Sequence, residues 1–203
     1  WLRVDILDVG HGDSIVVRTP GGRTLLVDAG SREAGRYRVL PFLRYHGVTR
    51  LDGLVLTHPD EDHLGGAIPL LQELRVVRLL TNGVRGDTMS ARQVARLADA
   101  QGVPPLVLAA GMRLDDGSPL RIEVLHPPEG LVPEVPPRSN DNSVVLKLTF
   151  GEVSVLLCGD IEEAGLPWLL REASALRADV LKVPHHGSRL GRVGTAFFEA
   201  VQP

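Results

Sequence analysis

The sequence predicts an α/β fold, and three observations carry the expectation. Short apolar runs rich in Val, Ile and Leu alternate along the chain with longer stretches whose apolar positions have helical spacing. Glycine and proline mark the junctions between them. A turn dense in histidine and carboxylate, Thr57-His58-Pro59-Asp60-Glu61-Asp62-His63-Leu64-Gly65-Gly66, follows an apolar strand pattern, Leu54-Val55-Leu56, and leads into a helical pattern over 64–74. Four potential ligands therefore sit on one strand-to-helix turn, where sequence neighbours can point at one centre. Deprotonated carboxylates and neutral imidazoles are ligands that Zn, Mn and Fe accept. Reading Asp62 as a helix N-cap would explain only one of the four.

In order, 4–9 reads as a strand, Gly10-His11-Gly12-Asp13 as a glycine turn and 14–19 as a second strand. Pro20-Gly21-Gly22 turns the chain back into a third strand over 24–27, which ends at Asp28-Ala29-Gly30. Residues 35–46 form a helical pattern that Pro41 interrupts, with His46 suited to its C-terminus. The strand at 51–57 delivers the His/Asp turn, 76–80 is a further strand, and 89–101 is a helix with Val94, Leu97 and Ala98 on one face. Strand patterns return at 106–109 and 121–125. His126, at a strand end, reads as structural. From 126 to 137, five prolines in twelve residues block helix and sheet, so this is a surface loop or a lid.

Ser139-Asn140-Asp141-Asn142-Ser143 then precedes strands at 144–150 and 153–157. Asn140 and Ser143 can act as weak oxygen ligands or as members of a capped turn. Asp160, at the end of a buried strand, can cap a helix over 162–175 or bridge two cations about 3.5–4 Å apart. A last strand, 179–183, leads into Pro184-His185-His186-Gly187-Ser188. Adjacent histidines on an extended chain point to opposite sides. One can then bind metal while the other serves substrate.

The 203 residues suffice for one domain with an aliphatic core; 43% are apolar, 23% charged and only 4% aromatic. The single cysteine, Cys158, excludes an intrachain disulfide. No apolar run approaches the roughly 20 residues that span a bilayer. The first residue is Trp1, not Met, which reads as a piece of a longer protein. A formal net charge of −3 speaks against a broadly basic nucleic-acid binder, but the charge is uneven. Seven arginines fall between Arg18 and Arg50 against Asp28 and Glu33 alone, and Arg189 and Arg192 flank the last motif. Such rims can hold phosphates or simply be solvated.

The pattern His58-x-Asp60-x-Asp62-His63 resembles the HxHxDH signature of the metallo-β-lactamase superfamily, with Asp at its second position. Asp8-Val9-Gly10-His11-Gly12-Asp13-Ser14, Leu157-Cys158-Gly159-Asp160 and Leu181-Lys182-Val183-Pro184-His185-His186-Gly187-Ser188 follow the family's order, and the variant motifs are most similar to the hydrolase domain of the ComEC competence proteins. The resemblance runs from about Val4 to Ser188. It implies an αββα sandwich, two mixed sheets with helices on the outer faces, in a single domain over 1–203 cut from a larger membrane protein. Asp28 would support the loops by hydrogen bonds and Asp13 would lie nearby. The usual Gln is His11 here, and the βloopβ histidine of many relatives is absent, with Asn140 and Ser143 in its place.

The resemblance further implies two divalent ions, Mn²⁺ or Zn²⁺. His58, Asp60 and Asp160, with Asn140 or water, would hold the first; Asp62, His63, Asp160 and His185 would hold the second. Attack by a metal-bridged hydroxide would cleave a phosphodiester, with His186 protonating the leaving oxygen. DNA, single-stranded, is the implied substrate: the strand that does not enter the cell during natural transformation. A transmembrane channel and OB-fold regions of the parent protein are the implied partners, and the extracytoplasmic face of the membrane the implied place. The same residues also suit a small-molecule ester, lactone or lactam hydrolase, and a third reading is a non-catalytic DNA-docking domain.

Overall fold

Short hydrophobic strands need neighbours to pair with, and in the first half of the chain they find them. The computed structural model describes residues 1–133, 136 and 140–203, and the chain divides into two compact units, Trp1–Val107 and Leu108–Pro203. In the first unit β1 (Arg3–Ile6), β2 (Ile15–Arg18) and β3 (Thr24–Val27) form an antiparallel meander. A helical passage follows: α1 (Arg32–Ala34), π-helical turns over Gly35–Val39, and α2 (Leu40–Tyr45). Then come β4 (Arg50–Leu51), β5 (Gly53–Leu56), α3 (Glu61–Leu64), α4 (Ala67–Glu73), β6 (Arg75–Val76), β7 (Leu79–Thr81), α5 (Met89–Ala100) and β8 (Pro105–Val107). The six-stranded sheet runs β1-β2-β3-β5-β7-β8, parallel from β3 onwards. Parallel neighbours need crossovers, which the helices supply.

The core of this unit is aliphatic. Leu26, Leu43, Leu54, Ile68 and Leu70 are fully buried, with Val94 and Ala98 of α5 packed into the same cluster. Thr88 Oγ1 caps α5 by accepting from Ala91 N at 3.1 Å, and beyond the helix Gln101 Nε2 donates to Leu71 O at 2.6 Å and Leu74 O at 2.9 Å. β5 is buried throughout, so the His/Asp turn leaves the carboxyl end of a central parallel strand, where open α/β sheets place ligands.

The second unit carries the other main sheet. Its strands are β9 (Arg113–Leu114), β10 (Arg121–His126), β11 (Val145–Phe150), β12 (Val153–Leu157) and β13 (Val180–Lys182), ordered β13-β12-β11-β10-β9. Only β12 and β13 pair in parallel. β10 alternates strictly: Ile122, Val124 and His126 are buried while Arg121 is exposed and Glu123 and Leu125 half-buried. The short helices α6 (Leu166–Leu169) and α7 (Ala173–Leu176), with α8 (Val193–Val201), pack Leu166, Leu169, Leu176, Phe197 and Val201 against Val145 and Leu156. Among the described residues no helix is long and apolar enough to cross a membrane.

Several expected elements are divided, each for a visible reason. The strand over 51–57 splits at Asp52, whose backbone N–H donates to Thr24 O and whose Oδ2 accepts from Thr24 N, so Arg50–Leu51 pairs apart with Arg75–Val76. The helix over 64–74 begins earlier, at Glu61, and breaks between Leu64 and Ala67. At Pro41 the helical passage changes character: π-helical turns over Gly35–Val39 run up to it and α2 opens on Leu40-Pro41, so the residue without an N–H stands where one ladder gives way to the other. The helix over 162–175 starts late, at Leu166, because Asp141 Oδ1 accepts from Glu162 N at 3.2 Å and Gly165 N at 2.6 Å, fixing a turn first, and a 3-10 turn over Leu170–Glu172 then separates α6 from α7. The loop over 126–137 and Ser139 fall partly on residues 134, 135 and 137–139, outside the described ones.

Candidate metal centre

Thr57-His58 extends β5 and Asp60 stands at the N-cap position of α3, which puts Asp62 and His63 in that helix's first turns. Asp60 makes no side-chain capping bond, and Asp62 lies inside the helix, so neither carboxylate is engaged as a cap. His63 is fully buried, and its Nδ1 lies 2.8 Å from Asp28 Oδ2. A carboxylate only accepts, so Nδ1 carries the proton and Nε2 the lone pair. Thr57 gives its hydroxyl proton to the same Asp28 oxygen at 2.7 Å, and its Oγ1, 3.0 Å from His58 Nδ1, must then accept from that ring. His58 is thereby set in the same tautomer.

Asp28 holds this arrangement together. It is 1% exposed, adopts a left-handed backbone conformation (φ 56°), and accepts Thr57 N on Oδ1 at 2.8 Å. Burial opposes its ionisation, but the His63 and His58 imidazoles and the Thr57 hydrogen bond outweigh that and keep its carboxyl below the usual value. Asp13, Asp28 and His63 each bring a ligand atom within 4.8 Å of the others. The glycine turn presses on this loop: a Cβ at Gly12 (φ 97°) would lie 1.9 Å from Asp62 O, so only glycine fits. His11, mostly exposed, brings Nε2 to 3.3 Å from Asp62 Oδ2.

In the second unit Asp160 ends the β12 segment, buried, with its N–H donated to Ser143 Oγ at 3.2 Å. It caps no helix; the N-cap before α6 is Gly165. His185 and His186 are not on an extended chain, as the sequence suggested, but on a turn where both are left-handed (φ 44° and 53°). Their rings therefore stay on one carboxylate. His185 Nε2 is 3.8 Å and His186 Nε2 3.2 Å from Asp160 Oδ2. His185 Nδ1 meets Glu162 Oε1 at 2.6 Å, which again puts the proton on Nδ1. Asn140 Nδ2 donates to Glu162 Oε1 at 3.3 Å, Lys182 Nζ stands 3.8 Å from Asp160 Oδ1, and His126 holds Ser143 O through Nδ1 at 3.0 Å.

The donor set fits a divalent cation. Three histidines, 58, 63 and 185, each engage Nδ1 with an acceptor and present Nε2 at 3.8 Å from a carboxylate oxygen, of Asp60, Asp62 and Asp160 respectively. That gap is too long for a hydrogen bond and close to the separation of two donors that share one ion at about 2.0–2.2 Å each. An outer partner on the second ring nitrogen is how metal-binding histidines are oriented. Thr57 and Glu162 are the residues the sequence reading missed in this role; both stand within two positions of a motif residue. Of the arginines, Arg38 is engaged by Asp8 at 3.1 Å, whereas Arg36, Arg189 and Arg192 are exposed.

Comparison with known proteins agrees with this chemistry. The family model described as the metallo-beta-lactamase superfamily matches residues 7–195. ComE operon protein 3 of Bacillus subtilis is 34% identical over 98% of the chain, and competence protein ComA of Neisseria gonorrhoeae 31% identical over 98%. The chain spans about a quarter of the length of these relatives, 27% and 26%. Among solved structures, the metallo-beta-lactamase fold protein YhfI of Bacillus subtilis aligns with a TM-score of 0.53 at 18% identity, covering 84% of this chain and 62% of that one. Motifs, fold and a match that runs through both units agree: this chain belongs to the metallo-β-lactamase superfamily, with its α/β sandwich fold and its divalent-metal hydrolase chemistry.

Proposed function

We propose that the chain is a metal-dependent phosphodiesterase that cuts DNA, and that its two units work as one hydrolase domain. The observation that carries the reading is the threefold repetition of an Nδ1-anchored histidine whose Nε2 faces a carboxylate oxygen at 3.8 Å. His58, Asp60 and Asp160, with Asn140 or water, would hold one ion; Asp62, His63, Asp160 and His185 would hold a second, Mn²⁺ or Zn²⁺. Such ions supply Lewis acidity towards a phosphate oxygen and towards water. Asp28, Thr57 and Glu162 keep the three imidazoles in the tautomer that leaves Nε2 basic. His186, on the same turn as His185 and 3.2 Å from Asp160, gives a proton to the oxygen that departs when water attacks phosphorus. Lys182 helps offset the negative charge around Asp160.

DNA as the substrate rests on the competence relatives and on the exposed arginines, which suit a phosphate backbone. In that setting the domain degrades the strand that is not taken up. It would act beside the membrane channel and OB-fold regions of a longer parent, on the extracytoplasmic face. The test is cleavage of labelled single- and double-stranded DNA by metal-stripped protein with Mn²⁺, Zn²⁺ or Mg²⁺ restored, beside an Asp60→Ala/His63→Ala control. Metal-dependent cutting lost in the control is expected. No cutting with any ion, despite turnover of small phosphodiesters or lactones, would replace DNA by a small ester as the substrate.

A further inference from the structure

Within the first unit a cavity of about 650 Å³ opens beside the ligand loop, with His58 and Pro59 in its wall. Its volume is typical of small-molecule sites, which run from about 300 to 1,000 Å³. Leu56, Leu79, Val94 and Val107 give it hydrocarbon sides. The polar side chains at its edge are turned into the loop over 81–86: Thr81 Oγ1 accepts from Gly83 N and Asn82 Oδ1 from Val84 N, both at 3.1 Å. The walls are therefore apolar and carry little that could read one base from another.

Charge is distributed unequally along this cavity. A Cβ at Gly86 would come within 3.2 Å of Pro59 Cβ and 2.5 Å of Ala91 Cβ, so a glycine lets the loop close against both. Arg85 precedes Gly86 and Arg92 follows Ala91, which brings both exposed guanidinium-bearing residues to the end of the cavity at the ligand loop. No carboxylate pairs with either among the described residues. The acidic residue of the lining, Asp99, lies two turns further along α5, about 10 Å away along the helix axis. An occupant with one anionic end and one flat apolar end matches this order: anion towards His58, apolar body between the leucines and valines.

We propose that this cavity takes one nucleobase of a DNA strand, without selecting which, while Arg85 and Arg92 hold the adjoining phosphate. The proposal rests on the nuclease reading and deepens it: the strand enters the reaction with its flanking nucleotide anchored here. Charge-assisted bonds to phosphate and burial of a base are each worth about a tenfold change in affinity.

The test needs no metal and no turnover. Binding of a fluorescein-labelled single-stranded thymidine dodecamer to metal-stripped protein is compared by anisotropy with binding of the same strand carrying abasic tetrahydrofuran units. The wild type is expected to bind the abasic strand about tenfold more weakly. Ala95→Trp fills the cavity from an exposed position on α5 and should erase that difference. Arg85→Ala/Arg92→Ala should weaken both strands alike, by about tenfold, and flatten the salt dependence. Equal binding of the two strands by the wild type, or an undiminished preference in Ala95→Trp, would overturn the proposal. Base-dependent binding that Ala95→Trp removes supports the pocket whether or not the strand is then cut, so absent hydrolysis would count against the nuclease reading alone.

Discussion

On the Nδ1 side of His63 everything is out of solvent: the ring is 0% exposed, its partner Asp28 1%, and the carboxylate also carries Thr57 through two further hydrogen bonds. His185, in the other unit, does the same job half in water. Its side chain is 28% exposed and its partner Glu162 40%, and the backbone beneath it is left-handed. One region orients its imidazoles by burial and a shared buried carboxylate; the other uses a strained turn and a surface carboxylate. Orientation by burial ties ligand geometry to the stability of the fold. Orientation at the surface can be altered without unfolding anything.

The comparison is broken most forcefully at Asp28. Asp28→Ala leaves Thr57 N, the Thr57 hydroxyl and His63 Nδ1 without their acceptor in a dry site, and should destabilise the metal-stripped protein by about 3–5 kcal/mol in urea unfolding. A loss under 1 kcal/mol would mean that the buried network does not hold the fold. Next in size is a pH effect. Burial drives the His126 pKa down from 6.5 to about 4, against the opposing Ser143 hydrogen bond and Asp141 charge. The folded state then binds fewer protons than the unfolded one, so stability is complete above pH 6.5 and falls as pH drops towards 4. The total is about 3 kcal/mol. His126→Gln should remove most of that slope; an unchanged slope would place the titration elsewhere.

Smaller effects sharpen the contrast. Glu162→Gln should lower metal affinity by about 10–100-fold with stability within about 0.5 kcal/mol of wild type, measured by metal titration and urea midpoint on the same preparation. Equal losses in both would make Glu162 another Asp28. Ser143→Ala removes the acceptor for Asp160 N and should cost about 1–2 kcal/mol, read as a shifted urea midpoint.

The ligand turn was legible because its chemistry is local: four potential ligands within six residues after a buried strand can only fan out around the strand's end. Helix α5 and strands β3 and β12 were legible because apolar periodicity and local turn or stop signals agree there. Where readings missed, a contact from far along the chain had intervened. Asp141 turned 162–165 before a helix could begin, and Asp52, bound to Thr24, divided one strand in two. The left-handed turn at His185-His186 left no decisive signal either, since histidine, although enriched there among non-glycine residues, still takes positive φ only in a small minority of cases.

From the sequence alone come the residue types that can hold a cation, their spacing, and the superfamily that this spacing resembles. Only the tertiary structure decided which ring nitrogen each histidine presents, because a tautomer is set by the partner on the other nitrogen, and that partner need not be a neighbour in the chain. Asp28 reaches His63 across thirty-five positions. Only folding, likewise, brings Arg85 and Arg92 to the same end of a hydrocarbon cavity beside His58: the loop and the helix that carry them meet at Gly86, where the lack of a side chain lets two backbones close on Pro59 and Ala91.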